Sequence, residues 1–242
     1  MKKYLVIGNP IKHSLSPELH NHWIKQNNIN AIYEKKKLNN DELENLILDI
    51  KKENIHGANI TVPFKNTVIT HLDELRDEAH KTQSVNTIYL KNKKVVGYNT
   101  DIEGFIIAIK KTNFDLNNKK IFILGAGGVV PSIIYASVKM GCSEIIISNR
   151  TKNKAEKLKK IFRNVKVVNW GDIPNFDVVI NATSLGLNKN DKINLDFTKV
   201  GKNKLFYDVI YNPDQTDFLK TAKKLGNKYQ NGRLMFIYQA VS

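Results

Sequence analysis

The residues of this chain that could do chemistry gather at the ends of short apolar runs. Asn59-Ile60-Thr61-Val62-Pro63-Phe64-Lys65 closes one such run with a hydroxyl, Thr61, and an ammonium, Lys65. Pro63 cannot continue a ladder and biases Val62 toward extended backbone, so the chain is expected to leave a sheet there, expose both groups and turn into a helix. Taken alone, an ordinary strand-to-helix junction with a solvated lysine accounts for the stretch at least as well. Earlier, Ser14-Leu15-Ser16-Pro17 places two hydroxyls on one side of an extended segment, with Leu15 on the other. Ser16 before Pro17 reads as a helix N-cap, and the free N–H groups of a helix start favour an anion, so a carboxylate would suit Ser14 and Ser16.

A third set lies in the second half. Residues 120–124 form an apolar run that enters Gly125-Ala126-Gly127-Gly128-Val129-Val130. Glycines at such a turn let the backbone approach a pyrophosphate, which then rests on the N-terminus of the next helix. Val130 stands where a third glycine or alanine is usual, and Pro131, tolerable only in a first helical turn, sets the helix start near Gly128. The next run ends in Asn149-Arg150-Thr151, at the distance where an acid would hold an NAD ribose. No acid is there. Arg150 and Lys154 offer cations to a 2′-phosphate, with Thr151 capping the helix, which favours NADP; a solvated helix start is the plainer alternative.

These groups need a scaffold of alternating strands and helices. Strands are expected over 4–8, 31–36 and 57–62, with a helix behind Ser16 carried by Leu19, His22, Trp23 and Gln26 and another over 41–53 carried by Leu43, Leu46, Ile47 and Ile50. A helix over 72–82 and a hairpin of 85–90 with 95–99 follow. The hairpin delivers Asn86 at one end and Asn99-Thr100-Asp101 at the other, where Asp101 reads equally as the N-cap of the next helix. Strands over 120–124, 144–148, 165–168, 177–181 and 205–208 complete the pattern. The last two open into Ala182-Thr183-Ser184 and Val209-Ile210-Tyr211, and ligands of open α/β sheets bind at such carboxyl ends. The order argues for the α/β class and, at 242 residues, for two domains.

Composition excludes several classes. The net charge of +15 rests on 38 basic residues, of which four are arginine, and they are spread along the chain. Nucleic-acid binding would gather them on one face with aromatics, so no nucleic-acid partner is expected. The charge instead attracts acidic substrates and phosphorylated cofactors over long range. Cys142, the single cysteine, rules out an internal disulfide and fits a reducing compartment. Met1-Lys2-Lys3 runs directly into a strand without a signal-peptide core, and no run approaches membrane-spanning length. A soluble cytoplasmic protein without membrane partner or metal site is expected.

Ser14 through Pro17, Asn59 through Lys65, Val85-Asn86-Thr87, Asn99-Thr100-Asp101, Gly125 through Gly128, Asn149-Arg150-Thr151, Asn181 through Ser184, Tyr207-Asp208 with Tyr211, and Asn231-Gly232 with Gln239 resemble, in order and spacing, the shikimate dehydrogenase family over nearly the whole chain. The resemblance implies a two-domain α/β oxidoreductase. A mixed-sheet substrate domain would span 1–101, with the tail 232–242 packing back on it, and a Rossmann-type NADP-binding domain would span 102–231. The implied reaction is the reversible, NADPH-dependent reduction of 3-dehydroshikimate to shikimate in chorismate and aromatic amino acid biosynthesis, by a monomer or homodimer.

By the same resemblance Lys65 and Asp101 are the catalytic pair, Ser14 and Ser16 hold the substrate carboxylate, and Thr61, Asn86, Asp101, Tyr211 and Gln239 surround the ring hydroxyls. Gly125, Ala126, Gly127, Gly128, Val129, Asn149, Arg150, Thr151, Lys154, Thr183, Val209 and Gly232 would contact NADP. The chemistry is consistent: hydride reaching a ketone carbon leaves charge on oxygen, which a positioned ammonium stabilises and protonates while a nearby carboxylate keeps it charged. Oxidation needs a neutral lysine and is expected to improve as pH rises. Family members generally continue past the position of Gln239 into a further helix, whereas three residues follow here, so a weaker hold on Gln239 is expected. A quinate/shikimate dehydrogenase is the nearest alternative, and a cofactor-binding protein without catalysis a second, disfavoured by the presence of both Lys65 and Asp101.

Overall fold

Alternation of apolar side chains along the first strand divides the N-terminal half into two packed faces. In a computed structural model that describes residues 1–188 and 190–242, the chain divides into two units, Met1–Thr100 and Asp101–Ser242. Strand β1 (Lys2–Gly8) points Leu5 and Ile7 into a core with Ile47, Ile50, Ile60, Phe64 and Ile88, and Val6 toward Ile11 and Tyr33 on the other side. Helix α1 (Ser16–Gln26) leads to β2 (Ala31–Lys37), and α2 (Leu43–Lys51) to β3 (Gly57–Ile60). The short β4 (Glu74–Leu75) and α3 (Asp77–Thr82) precede the hairpin of β5 (Thr87–Lys91) and β6 (Lys94–Tyr98). The sheet runs β2-β1-β3-β5-β6-β4 and is mixed: β1 is parallel to β2 and β3, while β5 is antiparallel to β3 and β6.

Local expectations bend where tertiary pairing intervenes. β3 stops at Ile60 because Phe64 N–H already donates to Thr61 O (2.9 Å), closing a turn around the proline. The helix expected after this turn is a 3₁₀ segment, Thr67–His71. The helix expected over 72–82 shrinks to α3 because Asp73 and Arg76 donate their N–H groups to Val95 O (3.0 Å) and Gly97 O (2.9 Å), drawing β4 onto β6. Before α2, Asn40–Glu42 is also 3₁₀, held by a capping box of Asn39 and Glu42.

The second unit contains α4 (Asp101–Lys111), β7 (Lys120–Leu124), α5 (Val130–Lys139), β8 (Glu144–Ser148), α6 (Lys152–Ile161), β9 (Val165–Val168), β10 (Val178–Asn181), β11 (Leu205–Asp208), α7 (Asp217–Lys224), β12 (Lys228–Gln230) and α8 (Arg233–Val241). Its sheet is parallel throughout, in the order β9-β8-β7-β10-β11-β12, the doubly wound order of dinucleotide-binding folds. Ile121 and Ile123 pack with Phe105, Ile133 and Tyr207; Phe122 and Leu124 pack with Phe176, Phe197, Phe206 and Phe218 on the opposite face. Residues 232–242, expected to go with the first domain, are grouped with the second unit by the packing of α8 along α4. That approach needs Gly104, where a Cβ would stand 2.8 Å from Gln239 Cβ and 2.9 Å from Met235 O. Among the described residues no helix is long and apolar enough to cross a membrane. Cys142 is half-buried, and burial pushes its thiol up to about 11, so it stays protonated at neutral pH.

Candidate active site

In the first unit Ile7 pairs with Ile60, so the loops leaving β1 and β3 start side by side. Thr61 N–H donates to Ile7 O (3.0 Å) and Asn9 N–H to Val62 O (2.9 Å). Gly8 lies beneath Thr61, where a Cβ would come within 2.5 Å of Thr61 Cγ2. On the loop from β1, Ser14 Oγ donates to Ser16 Oγ (3.2 Å), and Ser16 N–H donates to Ser14 Oγ (3.3 Å). Ser16 is not the N-cap: it is the buried first residue of α1, behind Leu15 at φ −92° and ψ 5°. The hydroxyls therefore converge because Leu15 bends the chain, not because the segment is extended.

Behind this shelf runs a chain of side-chain hydrogen bonds. Tyr33 OH donates to Asn59 Oδ1 (2.5 Å), Asn59 Nδ2 to Thr87 Oγ1 (3.0 Å), and Thr87 Oγ1 to Asn86 Oδ1 (3.1 Å). Asn86 Nδ2 then donates to Thr100 Oγ1 (2.9 Å), and Thr100 N–H returns a bond to Asn86 Oδ1 (2.8 Å). This fixes both Asn86 and Thr100, the residue that precedes Asp101. His20 stacks on Tyr33 (4.1 Å, 6°), and burial lowers its imidazole to about 4. Lys65 is only 8 % exposed and Asp101 only 5 %, unusual burial for such residues unless they are partnered. Lys65 O accepts from Val85 N–H (2.8 Å), which ties the lysine's backbone to the residue before Asn86. Asp101 opens α4.

In the second unit the strand order reverses between β7 and β10, the usual place for a ligand. Gly125 has φ +113°, and a Cβ there would stand 2.8 Å from Ala182 O, so only glycine fits. A Cβ at Gly127 would meet nothing nearer than Ala182 O at 4.0 Å, which leaves open space over the turn. α5 begins at Val130, behind the cap residue Val129 and with Pro131 in its first turn; no side chain caps it. Arg150, Thr151 and Lys154 are exposed. Asn149 Nδ2 donates to Thr151 O (2.8 Å), while Thr151 holds the N-cap position of α6 without a capping side-chain bond, contrary to expectation. Asn181 Oδ1 accepts from Thr183 N–H (3.1 Å) and Oγ1 (2.7 Å). Gly232 lies against Val209, whose carbonyl oxygen would be 2.0 Å from any Cβ at 232. Tyr211 stacks on Phe236 (4.4 Å, 18°), and Gln239 Nε2 donates to Phe236 O (2.9 Å), so Val209 and Gly232 meet at the start of α8, Tyr211 lies against its middle and Gln239 sits in its last turn.

Comparison with known proteins agrees with both halves. Residues 6–88 match the family model for the shikimate dehydrogenase substrate binding domain, and residues 107–211 match that for shikimate / quinate 5-dehydrogenase. The shikimate dehydrogenase (NADP(+)) of Pelagibacter ubique is 57% identical over 239 residues, covering 99% of this chain and 90% of that protein. The chain belongs to the shikimate dehydrogenase family. Among solved members, a shikimate dehydrogenase from Aquifex aeolicus superposes with a TM-score of 0.92 at 38% identity, covering 100% of this chain and 90% of that one. A shikimate 5-dehydrogenase from Thermus thermophilus, solved in complex with NADP(H) and shikimate, superposes with a TM-score of 0.90 at 29% identity, covering 99% and 90%.

Within this shikimate dehydrogenase family chain the first unit brings Ser14 together with Ser16 and sets Thr61 beside the end of β1. The roles of Tyr33, Asn59, Thr87 and Thr100 escaped the sequence reading. Asn59 carried a signal, because asparagine is disfavoured in strands and a buried one needs partners.

Proposed function

We propose that this chain catalyses the reversible reduction of 3-dehydroshikimate to shikimate with NADPH, in the cytoplasm, as a monomer or homodimer. The observation that carries the reading is the burial of Lys65 and Asp101 in a chain where Thr100, next to Asp101, and Asn86, next to the Val85 that bonds the Lys65 backbone, are fixed by hydrogen bonds to one another. A solvated strand-end lysine, the plainer reading, would not be 8 % exposed.

Residues 1–101 serve the substrate and 102–231 the cofactor, except that Tyr211 serves the substrate. The pair Ser14 and Ser16 receives the substrate carboxylate on convergent hydroxyls. Thr61, Asn86, Tyr211 and Gln239 take the ring hydroxyls, with Asn86 held by Thr87 and Thr100 so that its amide need not reorganise. Bound NADPH supplies the hydride. Lys65 Nζ stabilises the oxygen as charge develops on it and passes it a proton, with Asp101 as the second member of the catalytic pair. The residues present fit the cofactor: Gly127 leaves room for a pyrophosphate at the N-terminus of α5, whose dipole favours an anion, and the exposed Arg150 and Lys154 suit a 2′-phosphate.

The test is a nicotinamide absorbance assay of the full chain with 3-dehydroshikimate and NADPH, then NADH, and with shikimate and quinate in reverse. Rapid oxidation of NADPH by 3-dehydroshikimate is expected. Turnover of quinate at the rate of shikimate would replace the substrate assignment, and no turnover by a chain that still binds NADPH would favour a non-catalytic cofactor-binding protein.

A further inference from the structure

The mechanism uses Asp101 and leaves Asp208 idle, yet Asp208 is the more deeply buried of the two, at 0 % exposure. It sits at the carboxyl end of β11, directly opposite Asn181 at the end of β10. Its Oδ1 accepts from Asn181 Nδ2 (3.0 Å) and Ile210 N–H (3.0 Å), and its Oδ2 from Thr216 Oγ1 (2.6 Å). Asn181 in turn donates to Leu185 O (3.1 Å) and accepts from both the N–H and the hydroxyl of Thr183. Neighbouring strands of the same sheet end without a charge, β7 at Leu124 and β8 at Ser148. Burying a carboxylate is costly even when it is hydrogen-bonded, and burial pushes this one up to about 6. The bond from Thr216 supports the cap of α7, but it gives no reason for the two bonds on Oδ1. What the acid achieves is a link: one pair of buried side chains joins the loop that carries Thr183 to the loop that carries Val209 and Tyr211.

We propose that Asp208, with Asn181, is a positioning residue that locks these two loops into a single ligand-binding geometry. The proposal rests on the proposed function, because Thr183, Val209 and Tyr211 are assigned to cofactor and substrate on that reading. Asp208 touches neither ligand. Its effect passes through the backbone at Ile210 and through Asn181.

The test is NADPH affinity of the full chain, measured by fluorescence titration, alongside KM and kcat and thermal melting. Asp208→Ala and Asn181→Ala each weaken NADPH binding about tenfold, the consequence of losing a hydrogen bond to a charged group. The double variant weakens it little further than either alone, since both break one link. Asp208→Asn keeps a carbonyl acceptor for Asn181 and Ile210 and binds close to wild type. Thr216→Val removes the third bond and the cap of α7 but leaves the Asn181 link; it lowers the melting temperature with affinity unchanged. If Asp208→Ala does not fold, Asn181→Ala decides. Wild-type affinity in the folded alanine variants overturns the proposal, as does a Thr216→Val variant whose affinity falls as far as theirs, which would make affinity a mere reflection of stability. Wild-type chain that binds NADPH without reducing 3-dehydroshikimate defeats the functional reading while the affinities still decide the positioning role. A wild type that binds no NADPH overturns both.

Discussion

At the ends of β1, β3 and β5 polar side chains are bonded to one another, whereas at the end of β7 the construction is backbone, empty space and exposed charge. On the proposed function the contrast follows from what each region is asked to hold. A small ring with several hydroxyls would be discriminated by donors and acceptors that cannot turn away, which the mutual bonds of Asn59, Thr87, Asn86 and Thr100 provide. A pyrophosphate would need room and a favourable field, which the open turn at Gly127 and the N-terminal end of the α5 dipole offer, and a terminal phosphate would need only cations near solvent. One region is specific through order, the other through space.

The sharpest way to break this contrast is at Lys65. Lys65→Ala is expected to lower kcat by about 10²- to 10⁴-fold while leaving both KM values near wild type, because the ammonium acts on charge that appears only in the transition state. If KM for shikimate rises and kcat holds, Lys65 belongs to the binding array and the division of labour in the first unit is wrong.

Acid should separate the two regions next. His20 is held near 4 by burial against an ordinary value of 6.5, so the unfolded chain takes up a proton first and the first unit loses stability as pH falls from about 6.5 to about 4. Asp208 behaves oppositely. Its folded carboxyl, at about 6 against an ordinary 3.8, binds a proton before the unfolded one does, so the second unit gains stability as pH falls from about 6 to about 4, by at most about 3 kcal/mol. Melting curves across that range should therefore flatten in His20→Phe and steepen in Asp208→Asn. Profiles parallel to wild type in both variants would show that neither group sets the acid response.

Much of this architecture is legible in the sequence, and the parts that are not share a cause. Strands such as β1, β7 and β8 are legible because an uninterrupted apolar run is bounded by turns. β4 was not, since Glu74 and Leu75 become a strand only when β6 offers them a partner. α8 hid because its Leu234-Met235-Phe236-Ile237-Tyr238 run is apolar all round, a pattern that periodicity cannot assign. At the site, Ser14 with Ser16 and the glycine turn were visible as local spacing. The bond from Tyr33 to Asn59 joins residues 26 apart, and that from Asn181 to Asp208 joins residues 27 apart, so each exists only through the sheet. Ser16 shows a subtler failure: its place beside Pro17 was read correctly, but the bend at Leu15 moved the cap and left the hydroxyl facing Ser14.

Arg150 tests the other side of the comparison with a smaller effect. Because Arg150 is exposed, water and salt screen it, and Arg150→Ala should raise KM for NADPH by about tenfold while sparing KM for NADH. The difference should shrink as ionic strength rises. Equal effects on both cofactors would remove the 2′-phosphate assignment and leave Arg150 a general surface charge.

The finest test compares two buried tyrosines. Tyr33 in the first unit donates its hydroxyl to Asn59, whereas the hydroxyl of Tyr207 on β11 is fully buried without a hydrogen-bond partner among the described residues, its ring packed edge-on to Phe105 (5.3 Å, 76°). A polar group buried and unpaired costs free energy that an apolar atom in its place would not, while removing one partner of a made bond leaves the other stranded. Tyr33→Phe should therefore destabilise by about 1–2 kcal/mol and loosen Asn59, and Tyr207→Phe should stabilise by about 1 kcal/mol. Opposite signs in the two melting shifts would confirm that order in the first unit is built on satisfied polar contacts and that the core beside Asp208 tolerates one that is not. A loss of stability in Tyr207→Phe would mean that this hydroxyl has a partner after all and that the second unit's core, too, is held by polar contacts.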